Sequence, residues 1–423
     1  MILMSQYKNR INYFTSDVNG KVNTNYNPYY ETQLNTMSKQ NEYKIKRFPY
    51  AIYGFRIKKS EPDPTLRVEY TNMAENFIPI QVNETSFNLN SWKETFIINS
   101  FKPCMLKFDG TVDYYLNPFD QTLKMDGTLS DVANINYNGN AMVEIKKMYL
   151  YCYEDSTYEY CNIANYKVNN NYKCYAHINS LGQEVDCIYL PMFKGSLDSS
   201  NRLRSIANQT PIGNSTTTEE ITYAKNNGSR WYTDDFINHK LIQNIAYLIS
   251  KSCDTQNIFG NGNVSNSKPN ITGNLASKSM FYGTKTDKTS SVKLLFLENY
   301  YGDRYDRTAG LINYYGTYYV KPHPPYNEND SVSGYINTGI LSPSTFGFQN
   351  QCTMTEYGLL PTEVNGTETT YYTDGLWCNR DGIYYPSSGG AYGNDTWCGL
   401  AYMAIDNSLN VTDLNRGASI CYK

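Results

Sequence analysis

Histidine is nearly absent from this 423-residue chain, which holds only His177, His239 and His323. Three scattered imidazoles all but close off the multi-histidine centres that hold catalytic zinc. No G-x-S-x-G elbow accompanies them, so a serine-nucleophile triad has no anchor. A G-x-x-x-x-G-K-[ST] phosphate loop is missing too. Charge is sparse: 18% of residues are charged, with 37 Lys and Arg against 40 Asp and Glu. A near-neutral chain without a basic block is a poor partner for nucleic-acid phosphates, so none is expected. No apolar run approaches the roughly 18 residues of a membrane span, and no membrane insertion is expected. The opening Met1-Ile2-Leu3-Met4 is too short for the apolar core of a signal peptide, so folding in a cytosol is expected. Cysteine occurs ten times but never as C-x-x-C. Reduced, mostly buried thiols are therefore expected, with no metal and no cofactor.

What the chain has instead is tyrosine: 42 Tyr against 16 Phe and 4 Trp. Tyrosine and asparagine with little charge make wet, adaptable contact surfaces. AT-rich coding gives the same bias, and the two origins are compatible.

Residues 1–45 read as an arm. The stretch Asn23-Thr24-Asn25-Tyr26-Asn27-Pro28-Tyr29-Tyr30 has neither helical nor strand period and little to bury. It is read as a docking arm, with Tyr26, Tyr29 and Tyr30 as contacts; the alternative is a strand packed on its own domain. Residues 46–140 read as a β-rich region packed on the body, and 141–423 as a larger domain. Asp109-Gly110, between Met105–Phe108 and Thr111–Tyr115, is a hairpin signal, and Asp126-Gly127 marks another turn. Two main helices are predicted. Thr217 with Glu220 has the form of a capping box, opening a helix to about Asn226. A second, amphipathic helix spans about Asp234 to Ser252, with Ile237, Leu241, Ile245 and Leu248 at helical spacing. Asp234 and Asp235 suit its N-terminus, and His239 should be solvated or half-buried. Short strands and loops fill the rest, so the fold class expected is α+β.

Several segments together resemble a family of bacteriophage tail or minor structural, adhesin-like virion proteins. They include Tyr53-Gly54-Phe55-Arg56-Ile57, Lys102-Pro103-Cys104-Met105-Leu106-Lys107 and Gly110-Thr111-Val112-Asp113-Tyr114-Tyr115. Further on come Tyr189-Leu190-Pro191-Met192-Phe193-Lys194-Gly195, Tyr385-Pro386-Ser387-Ser388-Gly389-Gly390 and Asn415-Arg416-Gly417-Ala418-Ser419-Ile420-Cys421-Tyr422. The resemblance implies a C-type-lectin-like, formylglycine-generating-enzyme-like domain over 141–423. It implies a virion structural protein, a fibre, spike or adhesin, held to other virion proteins by residues 1–45. Such a protein presents a surface to a host glycan or protein, is a homo-oligomer and is not an enzyme. A connector or decoration role without receptor binding is the alternative. One departure is Leu297-Glu298-Asn299-Tyr300-Tyr301-Gly302, where the family's tryptophans are missing.

The catalytic alternative, a formylglycine-type copper site, needs closely spaced late cysteines. Cys378, Cys398 and Cys421 are far apart in sequence. A lectin calcium site would need Glu61-Pro62-Asp63 to meet Trp377-Cys378-Asn379-Arg380-Asp381, and a turn and a strand end explain both more simply. Binding is instead assigned to the C-terminal loops. The candidates are Tyr392, Asn394, Asp395 and Trp397, with Asn407, Asn410, Asp413 and Asn415. Rings there could stack on a sugar or protein while Asn and Asp set orientation.

Overall fold

Turn chemistry written locally into the chain sets much of the fold. In the computed structural model, which describes residues 50–84, 86–326 and 329–423, Gly110 has φ +85° and opens a hairpin between Phe101–Lys107 and Val112–Tyr115. Asp109 holds that turn by accepting the N–H (2.9 Å) and hydroxyl (2.7 Å) of Thr111. The same Asp-x-Thr device recurs at Asp63, Asp120, Asp126 and Asp287. Each carboxylate replaces a backbone partner, which is why Asp favours turns. The bonds hold the carboxyls of Asp63, Asp109, Asp126 and Asp287 below their usual range.

The described chain is β-rich with few helices. A four-stranded antiparallel sheet runs in the order Val68–Asn72, Ile52–Lys58, Tyr158–Ala164, Tyr149–Glu154. A six-stranded antiparallel sheet runs Trp231–Thr233, Ile420–Tyr422, Cys187–Pro191, Gly139–Lys146, Phe101–Lys107, Val112–Tyr115. The strand Ile420–Tyr422 thus lies between segments some 190 to 230 positions earlier, a long-range closure that slows folding but ties the unit together. The third sheet is mixed and is built wholly from residues after 304, with Ile383–Ser388, Met403–Asn407 and Gly375–Cys378 as its middle. Residues 51–423 form one compact unit. The expected border at 140/141 falls inside the strand Gly139–Lys146, which pairs with neighbours from both sides of it. The docking arm, with Tyr26, Tyr29 and Tyr30, lies outside the described residues.

The central helix is Phe236–Ser250. Asp235 caps it by accepting the Asn238 N–H at 2.9 Å, as a helix-start aspartate should. The helix is not amphipathic in its environment: all fifteen residues are buried, against strands that include Ile52–Lys58 and Gly358–Glu363. Some of its polar side chains bond to one another, while the Asn238 Oδ1 and both ring nitrogens of His239 are buried without a hydrogen-bond partner. Lys240 donates to Gln243 (2.8 Å), Gln243 to Tyr247 (3.0 Å) and Asn238 to Asp234 (2.8 Å). His239 is likewise buried, not solvated, because neighbouring strands and turns pack over its side of the helix. Its ring stacks on Tyr300 at 4.3 Å, and burial holds its pKa well below the usual value. The first helix, Thr217–Lys225, carries its capping box one residue earlier than expected, on Thr216 and Glu219. Glu220 turns inward and pairs with Arg307 at 2.8 Å.

Candidate functional site

Of the four tryptophans, Trp92 and Trp231 are fully buried. The other two meet at the surface of the mixed sheet. Trp377 lies in the strand Gly375–Cys378, where alternation sends Leu376 into the core and Trp377 outward. The short strand Gly347–Phe348 pairs beside it, with Gly347 opposite Leu376 and Phe348 opposite Gly375. Trp397 closes a single 3₁₀ turn, Asp395–Trp397, and lies over Gly375. A Cβ at position 375 would come 2.1 Å from the Trp397 ring, so only glycine permits this approach.

The result is a row of four rings. Phe346 stacks on Trp377 at 4.6 Å and 14°, Trp377 meets Trp397 at 5.4 Å, and Trp397 meets Phe348 at 4.7 Å. Phe346 is 55% exposed and the other three rings are half-buried. The two tryptophans rest on Tyr305, Ala391, Tyr402 and Ala404. Half the row is thus anchored, and the rest keeps apolar surface in water, a state that favours covering by a partner.

The first predicted loop adjoins this row. Asn394 accepts the Ala391 N–H at 2.8 Å and fixes the turn before Trp397. Asp395 has φ +49° and is paired with Lys288 at 2.6 Å on the exposed side. Tyr392 is half-buried, and its N–H donates to the Asp303 carbonyl. Thr396 donates to Glu368 at 2.8 Å and lines an open polar cleft of about 150 Å³ with Asp254, Asn257, Asn261 and Lys285. Asp374 also lines it; burial raises its carboxyl well above the usual range. Apolar ring faces beside convergent amide, hydroxyl and carboxyl groups suit a ligand with both C–H faces and hydroxyls.

The second predicted loop is anchored elsewhere. Asp413 accepts the Asn415 N–H at 2.9 Å, and its carbonyl accepts the N–H of Asn214. Arg307 donates to the Val411 carbonyl at 2.5 Å, and Arg304 to the Leu414 carbonyl. The Asn415 carbonyl accepts the Tyr305 N–H, Asn407 ends the strand Met403–Asn407, and Asn410 is exposed. Phe346, Phe348 and Trp377 are the residues that sequence reasoning missed. The available signal was Trp377 itself, at an outward position of a short β run.

Glu61-Pro62-Asp63 and Trp377–Asp381 are a turn and a strand end. Asp63 serves Thr65 and Leu66, and Asp381 accepts from Tyr384. Among the described residues no group of three or more His, Cys, Asp or Glu is arranged to hold a metal ion. All ten cysteines are unpaired. Cys378, Cys398 and Cys421 each donate to a backbone carbonyl. Among the described residues no helix is long and apolar enough to cross a membrane. No family model matches this chain, and no curated protein is significantly similar to it.

Proposed function

We propose that this chain is a non-enzymatic virion structural protein, a fibre, spike or adhesin of a bacteriophage. Its α+β body, lectin-like over 141–423, would contact a host-surface glycan or protein, and residues 1–45 would dock it on other virion proteins. The resemblance of its segments to phage adhesin-like proteins motivates the identity. The observation that carries the binding role is the surface row Phe346–Trp377–Trp397–Phe348 beside the Thr396–Glu368 cleft. Sugars present C–H faces that stack on such rings and hydroxyls that need such polar neighbours. A glycan array and host-cell binding with the full chain test this reading, with loss of binding in Phe346→Ala and Trp377→Ala as the supporting result. Deleting residues 1–45 should release the protein from particles; continued incorporation sinks the docking role.

A connector role without a receptor is the second reading, favoured by one other surface. Tyr151, Tyr153 and Tyr160 stack face to face on the four-stranded sheet at 4.5 and 4.6 Å. Arg56 covers Tyr158 at 4.2 Å. Rings that already cover one another offer edges and hydroxyls, which fit a protein partner better than a sugar face. Consistent absence of glycan and cell binding would favour this reading.

A further inference from the structure

The strands Tyr149–Glu154 and Tyr158–Ala164 form a hairpin in which Cys152 lies opposite Cys161. Opposed side chains of an antiparallel pair share one face of the sheet. The outer face carries the tyrosine stack, so both thiols point inward, and both are buried. Their sulfurs are 3.3 Å apart. A disulfide needs about 2.05 Å, so closure asks for a movement of only about 1.2 Å, within reach of side-chain torsions.

Cys152 has a way to solvent. It lines a small cavity of about 30 Å³ between the hairpin and the central helix, together with Lys173, Lys240 and Leu241. The rim is built from Tyr175, Tyr357 and Glu356. The Tyr175 hydroxyl donates to Glu356 at 2.9 Å and its ring lies 5.2 Å from Tyr357. Such a space holds about one water-sized molecule. Cys161 does not line the cavity, and burial pushes its thiol well above the usual range.

We propose that Cys152 and Cys161 form a dithiol that reacts with hydrogen peroxide, selected by size, and closes to a disulfide. The Cys152 thiolate attacks one peroxide oxygen and the O–O bond breaks. The departing hydroxide leaves as water with the proton released from the thiol, and a sulfenic acid remains on Cys152. The Cys161 sulfur then attacks the sulfenic sulfur. The S–S bond forms, the S–O bond breaks, and the hydroxyl leaves as a second water with the Cys161 proton. The two thiols lose two electrons and the peroxide gains them, ending as two waters.

The test uses the folded full chain with peroxide or, separately, oxidised glutathione, followed by thiol blocking after unfolding and peptide mapping. A protease that cuts after glutamate separates the two cysteines at Glu154 and Glu159. The expected result with peroxide is a linked pair of peptides carrying Cys152 and Cys161, with two of the ten thiols lost. Oxidised glutathione should leave both reduced. Cys161→Ser should accumulate a dimedone-reactive sulfenic acid on Cys152, and Cys152→Ser should leave Cys161 reduced. Wild-type protein that keeps both thiols after peroxide overturns the proposal, as does a link made equally fast by oxidised glutathione. Failure of dimedone to label Cys152 in Cys161→Ser overturns the assigned order of attack.

Discussion

Replacing Asp234 with asparagine should change how stability depends on pH. Asp234 is completely buried at the start of the central helix. Its Oδ1 accepts from the Asp235 N–H (2.9 Å) and from the Asn238 amide (2.8 Å), and its Oδ2 from the Tyr300 hydroxyl (2.8 Å). Burial first, then the Asp235 carboxylate, raises its pKa from 3.8 to about 7. Between those values the unfolded chain has lost this proton and the folded chain keeps it. Stability from this group is therefore complete below pH about 4 and is lost as pH rises through 7. At about 1.4 kcal/mol per pH unit over some three units, the loss is of order 4 kcal/mol. Asparagine cannot ionise and keeps an oxygen for Asp235 and Asn238, while the Tyr300 hydroxyl can turn to accept from the new amide. Denaturant unfolding of both proteins at pH 5, 6, 7 and 8 reads the difference. His177 and His239, whose pKa values burial lowers, oppose the trend below pH about 6.5, but both proteins share them and they cancel. The Asn variant should gain on wild type by about 1 kcal/mol per unit from pH 5 to 7 and level off above. A difference that stays flat across this range refutes the assignment of a buried, protonated Asp234.

Three further substitutions test the packing of the fold. Lys194→Met should cost about 3–5 kcal/mol, because it strands the Asp306 carboxylate, which is 2.5 Å from the lysine and left with Ser419 alone. Adding Asp306→Leu should recover much of that loss in the same unfolding assay. Thr216→Ala should remove the hydroxyl arm of the capping box, leaving the residue 216 N–H on Glu219, and cost about 1 kcal/mol, read as a lower denaturation midpoint with an unchanged slope.

The hairpin at Asp109-Gly110 and the central helix were legible because their signals are local: a turn residue with positive φ, a cap, a 3.6 period. The helix burial was not legible. Asn238, His239, Lys240 and Gln243 look like a solvated face until long-range strands close over them, and nothing within one turn of helix records that closure. The aromatic row escaped for a related reason. Phe346 and Phe348 flank and occupy a two-residue strand with no period to detect, and they meet Trp377 and Trp397 only through tertiary contacts across 31 and 49 positions. Trp397 was singled out on chemistry alone. The loop at 407–415 looked equally polar, but its backbone is held by Arg304 and Arg307, buried side chains whose targets no sequence spacing reveals.

The row of rings is the point on which the functional account rests. The most direct test is host-cell and glycan-array binding by the full chain, compared with the double variant Phe346→Ala, Trp377→Ala. Phe346 is 55% exposed and Trp377 half-buried on the surface of the sheet, so the fold should survive, which circular dichroism and the unfolding midpoint check. Two lost stacking contacts of about 0.5–1.5 kcal/mol each should weaken binding by about tenfold or more. Wild-type binding that is saturable and drops to that extent in the variant is the predicted result. Equal binding by the two proteins, or no binding by the wild type to any glycan or host cell, contradicts it.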